Sequence, residues 1–225
     1  MSTATMDLEQ ARFNMVEQQI RPWEVLDPAV LDLMMTVRRE DFVPENYRAV
    51  AFADLQVPLE NGSKMWEPKV EARLIQELGL RKSDRVLEIG TGSGYMAALL
   101  AANTMEVVSF EIDRAQAERA KKNLARAEVR NVVVENADGT KGCAAKAPFD
   151  VIVVTASLPA DSPTLAALQA QLKVGGRMAV IVGEVPLMLA QIVTQTAEGV
   201  FSAVTVFETS VEPLKGIKPA ATFKF

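Results

Sequence analysis

The chain has 225 residues, 49% of them hydrophobic and 24% charged, with a formal net charge of -5; this fits one soluble α/β domain with a modest extension. The acidic balance argues against nonspecific nucleic-acid binding, which needs a basic surface, and no run of about 18 apolar residues is present to span a membrane. With no histidine and one cysteine, a Ser-His-Asp triad, a Cys-His pair, most zinc sites and an internal disulfide are all excluded.

Met1 to Gln10 lacks a basic stretch followed by an apolar one, so it does not read as a secretory signal. Together with the lone Cys143, this points to a reducing compartment, the cytoplasm. Asp7 with Gln10 resembles a capping pair and predicts a helix over Leu8–Ile20. Asp27-Pro28 starts a second helix, with Val30, Leu31, Leu33, Met34 and Val37 as its apolar face. Residues 38–62 read as irregular, with a short extended piece at Leu55–Leu59. Glu67-Pro68 begins a third helix, carrying Val70, Leu74, Ile75 and Leu78 at helical spacing and ended by Gly79.

From Arg85 the pattern alternates. Strands are expected at 85–89, 106–110, 131–135, 149–155 and 177–182, with helices at about 94–102, 114–126 and 163–172 between them. Continuous apolar runs such as Val151-Ile152-Val153-Val154 suit parallel strands buried on both faces. Lys173-Val174-Gly175-Gly176-Arg177 reads as a helix exit into a strand. Leu187–Thr196 and Val200–Glu208, joined by Ala197-Glu198-Gly199, read as an antiparallel hairpin. The expected fold is α/β: a Rossmann-like, doubly wound, mostly parallel sheet with an N-terminal helical cap and a C-terminal antiparallel hairpin. Residues 1–80 would form the cap and acceptor-site segment, and 81–225 the cofactor-binding core, of one compact domain.

Val86-Leu87-Glu88-Ile89-Gly90-Thr91-Gly92-Ser93-Gly94-Tyr95 carries the chemistry. An apolar run ends in an acid and then in glycines at alternate positions, as where a nucleotide-type cofactor meets the first strand-to-helix turn. The spacing is G-x-G-x-G rather than the dinucleotide G-x-G-x-x-G. Glu88, two residues before the first glycine, would repel a pyrophosphate. It suits a ligand with a cationic end, such as the ammonium and sulfonium of S-adenosylmethionine. Glu88, Gly90, Thr91 and Gly92 would hold the methionine end and backbone side of that cofactor. Glu111 would accept from both ribose hydroxyls, while Asp113 fits a helix N-terminus.

In Asn136-Ala137-Asp138-Gly139 the acid can accept from the adenine amino group, and Gly139 lets the loop pass close to the ring; the same residues also make a common Asp-Gly turn. Thr155-Ala156-Ser157 follows the fourth strand at the carboxyl edge, and is either room for a substrate or simply a loop. Cys143 has no basic partner and is not read as a catalytic thiol. Trp23 and Tyr47 read as packing residues. No metal site and no secure catalytic side chain emerge.

These motifs resemble the protein-L-isoaspartate O-methyltransferases, over almost the whole chain. Arg38-Arg39-Glu40-Asp41-Phe42-Val43-Pro44 is similar to the family's N-terminal segment, Val86 to Tyr95 to its glycine motif, and Phe110-Glu111-Ile112-Asp113 to its ribose motif. Ala137-Asp138-Gly139, Pro148-Phe149-Asp150, Val153-Val154-Thr155-Ala156, Leu172-Lys173-Val174-Gly175-Gly176-Arg177 and Val211-Glu212-Pro213-Leu214 match later motifs. The resemblance implies transfer of a methyl group from S-adenosyl-L-methionine to isoaspartyl carboxylates in damaged proteins. It implies cofactor contacts from Glu88, Gly90, Thr91, Gly92, Glu111, Ala137, Asp138, Gly139 and Thr155, and an acceptor site at Leu59, Gly62, Ser63, Lys64 and Trp66.

The departure falls in that acceptor site. Where the family usually carries Gly-Gln-Thr-Ile-Ser-x-Pro, this chain has Gly62-Ser63-Lys64-Met65-Trp66-Glu67-Pro68. Trp66 stands at the place of the serine and Lys64 at that of the threonine. Three outcomes stay open on the residues alone: isoaspartyl methylation, methylation of another acceptor that stacks on Trp66, or cofactor binding with a closed pocket. The oligomeric state and the packing of residues 1–25 are not legible.

Overall fold

The computed structural model describes residues 7–217; residues 1–6, part of the stretch read above as lacking a secretory signal, lie outside the described residues, as do 218–225. The cap opens with α1 (Leu8–Met15), whose first turn is held by Asp7 Oδ1 accepting from the backbone N–H of Glu9 and Gln10 at 3.1 Å each. The expected helix to Ile20 is present, but its second half, Val16–Ile20, is wound as a π-helix. α2 (Pro28–Thr36) is capped by Asp27. A short ladder that the sequence reading did not contain follows: β1 (Val57–Pro58) pairs antiparallel with β2 (Lys64–Met65). α3 (Pro68–Leu78) ends at Gly79 in the left-handed region, as its position implied.

The core is β3 (Arg85–Ile89), α4 (Tyr95–Ala102), β4 (Glu106–Glu111), α5 (Arg114–Arg126), β5 (Val132–Asn136), β6 (Phe149–Leu158), α6 (Pro163–Gln169) and β7 (Leu172–Glu184), then β8 (Leu187–Ala197) and β9 (Val200–Thr209). One sheet orders them β5-β4-β3-β6-β7-β8-β9; pairing is parallel as far as β7 and antiparallel beyond it. The chain builds outward from β3 to β5, then returns to the other side of β3 with β6. That reversal opens a crevice at the carboxyl ends of β3, β4 and β6. The β8–β9 hairpin is not an appendage, because β8 pairs with β7 from Arg177 to Glu184 and extends the same sheet.

Several boundaries shift from expectation: α6 stops at Gln169 rather than 172, and the strands beside it are longer. β6 runs on to Leu158, and β7 begins at Leu172 rather than 177. The glycine-rich stretch 173–176 is a bulge inside the β6–β7 pairing, between the Phe149–Leu172 and Val151–Arg177 pairs.

Side chains alternate across the sheet with period 2. Val86, Val151, Val153, Ala179 and Ile181 face the cap helices and α4, while Leu87, Ile89, Ile152, Val154, Met178 and Val180 face α6. The first of these cores is continuous from Met15 to Val211, so residues 7–80 and the sheet share one apolar interior. Two buried ion pairs fix the cap. Arg12 binds Glu40, and Arg39 binds Glu71 while also donating to the carbonyls of Ala51 at 2.9 Å and Trp66 at 2.5 Å. Trp23 packs against Phe207, centroid to centroid 4.7 Å, consistent with a packing role.

Candidate active site

The loop after β3 is pinned from below. The carbonyl of Phe110 accepts from the N–H of Gly90 at 2.8 Å and of Thr91 at 3.2 Å. Gly90, Gly92 and Gly94 all have positive φ, which a side chain would strain. At Gly90 a Cβ would also collide with Thr155 Oγ1, which donates to the carbonyls of Ile89 and Gly90. From the other side Gln116 donates to the Gly92 carbonyl at 2.7 Å and Asn123 to that of Ser93 at 3.0 Å. The loop is therefore shaped before any ligand arrives.

Glu111, at the end of β4, reaches back to this loop. Its Oε2 accepts from Gly92 N–H at 2.9 Å and its Oε1 from Asp113 N–H at 3.0 Å. An ionised carboxylate has about four lone-pair sites, so roughly two remain, matching the two hydroxyls of a ribose. Gly139, after β5, is packed so tightly that a Cβ would sit 2.8 Å from Ile89 Cγ2.

These residues border a single cleft of about 640 Å³. Gly90, Thr91, Gly92, Glu111, Ala137, Gly139 and Thr155, all expected at a cofactor site, line it. Leu59, Gly62, Ser63, Lys64 and Trp66, all expected at an acceptor site, line the same cleft, with Leu59 beside Gly92. Thr155-Ala156-Ser157, left open between substrate room and simple loop, lies on the cleft wall.

Two expected residues stand elsewhere. Glu88 is fully buried under the loop and does not line the cleft. Ser109 Oγ donates to its Oε2, and a 2.6 Å hydrogen bond links Ser109 to Thr91 Oγ1. Its Oε1 has no partner. Burial raises the Glu88 carboxyl to about 8, against the lowering effect of Ser109 and with the nearby charge of Glu111 raising it further. A carboxyl that keeps its proton explains how an acid with one orphaned oxygen is tolerated there. The place of Glu88 within β3 is the physical reason for its burial: β3 lies between β4 and β6 and is buried on both faces, and Glu88 shares the face of Val86. Asp138 is exposed and off the cleft wall, and its Oδ1 caps the following turn by accepting from Thr140 N–H at 2.9 Å. This is the Asp-Gly turn that the sequence also allowed.

The structure adds residues the sequence reading passed over. Glu71 is 3% exposed yet lines the cleft, with Oε2 bound to Arg39. Burial raises its carboxyl to about 7, while Arg39 pulls it down. The signal was present, since Glu71 shares the α3 face of Leu74, Ile75 and Leu78 and an acid on an apolar face is unusual. The other addition is a strap, Val211–Ile217. Ser157 N–H donates to the carbonyl of Glu212 and Leu214 N–H to that of Ser157, both at 2.9 Å, so the strap lies along the end of β6 and roofs the cleft. Side-chain links join it to the acceptor-site segment: Lys64 to Glu212 at 2.9 Å, and Lys215 to the Asn61 carbonyl at 2.8 Å.

Trp66 is 4% exposed and belongs to the apolar core, presenting only part of its surface to the cleft. A cleft of about 640 Å³ is present with Trp66 among its lining residues.

Comparison with known proteins gives a consistent result. A family model described as protein-L-isoaspartate(D-aspartate) O-methyltransferase matches residues 10–215. A relative from Marinobacter nauticus named protein-L-isoaspartate O-methyltransferase 2 is 40% identical over 211 residues, 93% of this chain and 95% of its own. The protein-L-isoaspartate O-methyltransferase of Methanoculleus marisnigri is 45% identical over 172 residues, covering 76% of this chain and 77% of its own. Among solved structures, one described as a protein-L-isoaspartate O-methyltransferase overlays with a TM-score of 0.76 at 26% identity, covering 93% of this chain and 66% of that one. A Plasmodium falciparum protein described as a putative member, in complex with S-adenosyl-L-homocysteine, shares the fold at a TM-score of 0.74 and 19% identity, covering 92% and 97% of the two chains. The chain belongs to the protein-L-isoaspartate(D-aspartate) O-methyltransferase family.

Proposed function

We propose that this protein transfers the methyl group of S-adenosyl-L-methionine to the free carboxylate of isoaspartyl residues in damaged polypeptides, as a repair enzyme of the cytoplasm. The observation that carries this reading is a single cleft bordered by both the glycine loop with Glu111 and the family's acceptor-site segment, in a chain matched over residues 10–215. No helix among the described residues is long and apolar enough to cross a membrane.

The residues present fit this cofactor. Glu111 has lone pairs left for a ribose, Gly139 packs its backbone against Ile89 and Phe110 where no Cβ fits, and the loop is held rigid by Phe110, Gln116 and Thr155. When bound, the cofactor supplies an electrophilic methyl on a sulfonium. The acceptor carboxylate is already ionised at neutral pH, so no general base is needed, consistent with the absence of histidine. The protein's task is alignment, which can contribute roughly 7–11 kcal/mol when reacting atoms are held in line. Thr91 and Gly92 fix one side of that alignment, and the β1–β2 segment with the strap fixes the other.

The deciding experiment is transfer of a labelled methyl group to an isoaspartyl peptide, with its aspartyl twin as control. Selective labelling of the isoaspartyl peptide is expected. Cofactor binding by calorimetry without labelling of either peptide would overturn the assigned acceptor and leave the fold and cofactor in place.

A further inference from the structure

Charge is unevenly distributed in the cleft. Its ionisable lining consists of the carboxylates Glu71, Glu111, Glu184 and Glu212 and the ammonium groups Lys64 and Lys215. An anionic acceptor entering such a cleft meets repulsion from most sides and needs a cation to hold it. Lys215 is bound to a neutral carbonyl, that of Asn61. Lys64 is bound to a carboxylate, Glu212, at 2.9 Å, and both side chains are about half exposed, at 41% and 49%. An ion pair that wet is weak and easily exchanged. Its two partners come from two separate segments that line the cleft, β2 and the strap.

From this we infer that Lys64 is the residue that grips the acceptor carboxylate, and that Glu212 is an internal competitor for the same ammonium. The inference rests on the isoaspartyl reading above. The incoming carboxylate replaces Glu212 like for like on the Lys64 ammonium, and Glu212 turns to solvent, where it is already half exposed. The backbone of the strap need not move, because Ser157 holds it through main-chain hydrogen bonds alone. Glu212 thereby sets a threshold: an uncharged side chain at the same place cannot displace it, so the pair selects for anionic acceptors.

The test separates competition from simple latching. Initial rates with an isoaspartyl peptide would be measured for the wild type, Lys64→Gln, Glu212→Gln and the double variant, with cofactor affinity followed by calorimetry. Lys64→Gln is expected to raise KM several-fold, the scale of a half-exposed ion pair. Glu212→Gln is expected to lower KM by a few-fold because the internal competitor is gone, and the double variant to match Lys64→Gln. Cofactor affinity should stay constant throughout. If both single variants raise KM alike, the pair is only a latch and the proposal fails. An unchanged KM in Lys64→Gln also ends it. A wild type that binds the cofactor but leaves the isoaspartyl peptide unmethylated refutes the acceptor reading itself, and this one with it, before any variant is compared.

Discussion

Glu111 Oε2 accepts the backbone N–H of Gly92 at 2.9 Å, so the acid at the end of β4 and the glycine loop after β3 are one mechanical unit. The loop's shape and the proposed ribose site are coupled through this bond. Glu111→Ala should therefore do more than delete a contact: it frees Gly92 N–H and loosens the loop. A hydrogen bond to a charged group is worth about 1.5–3 kcal/mol, and each ribose hydroxyl adds one. Cofactor affinity measured by calorimetry should fall by at least about 100-fold, with Glu111→Gln intermediate because one acceptor oxygen survives.

Gly90→Ala should abolish cofactor binding while the chain stays folded. Two effects combine: a φ of 95° and a collision with Thr155 Oγ1. Backbone strain of this kind costs about 1–3 kcal/mol, within what a domain of this size tolerates. Adding Thr155→Ala removes the collision but leaves the strain. The double variant should regain part of the thermal stability lost and none of the wild-type affinity, as read by thermal unfolding and calorimetry.

The pH dependence of stability carries the signature of the buried acids. In the unfolded chain Glu88 titrates at its ordinary 4.5, and in the folded protein burial holds it at about 8. The native state therefore binds more protons between these values. Stability is greatest below the unfolded value and falls as pH rises through the window to 8. Glu71, raised to about 7, acts in the same direction. The expected total is of the order of a few kcal/mol. Glu88→Gln should flatten the fall in Tm between pH 5 and pH 8, in a scan followed by circular dichroism. A slope equal to that of the wild type would contradict the assignment.

Much of this site was legible in the sequence because the cofactor loop depends on backbone shape, and backbone shape is written in glycine spacing. Gly90 and Gly92 need positive φ, and Gly139 needs space; no other residue serves, so the positions announce themselves. The strands were legible for a similar reason, as Val151–Val154 is apolar at every position. Orientation was less legible. Glu88 reads as a ligand contact because it precedes the loop, yet it lies within a central strand covered on both faces. Asp138 had two readings, and the turn claimed its carboxylate. Leu55–Leu59 read as extended and Val211–Leu214 matched a motif, but the β1–β2 pairing and the docking of the strap on Ser157 were not legible, because a two-residue ladder and a long-range pairing create them.

Arg39 is the cap's anchor, and its loss should be felt as unfolding before it is felt as catalysis. It is fully buried, binds Glu71 and holds the carbonyls of Ala51 and Trp66. Removing one partner of a buried pair costs about 3–5 kcal/mol because the other charge is left uncompensated. Arg39→Met should lower stability by that amount in urea unfolding. Arg39→Met with Glu71→Leu should recover a substantial part of it, since no buried charge is then stranded.

Trp66→Ser restores the side chain the family usually carries, and the structure predicts that it is a costly restoration. The indole is 4% exposed and packed into the core shared by the cap and the sheet. Truncating a buried tryptophan costs about 3–5 kcal/mol, and the new hydroxyl lies beside apolar surroundings. Lower activity in this variant would therefore report lost packing unless stability is measured alongside. Trp66→Phe keeps most of the volume and adds no hydroxyl. Stability should follow the order wild type, Trp66→Phe, Trp66→Ser. Under conditions where all three are folded, the wild type should methylate the isoaspartyl peptide at least as fast as Trp66→Ser. The acceptor is then held by charge at Lys64 rather than by a hydroxyl at position 66, and a marked gain on Trp66→Ser would show the reverse.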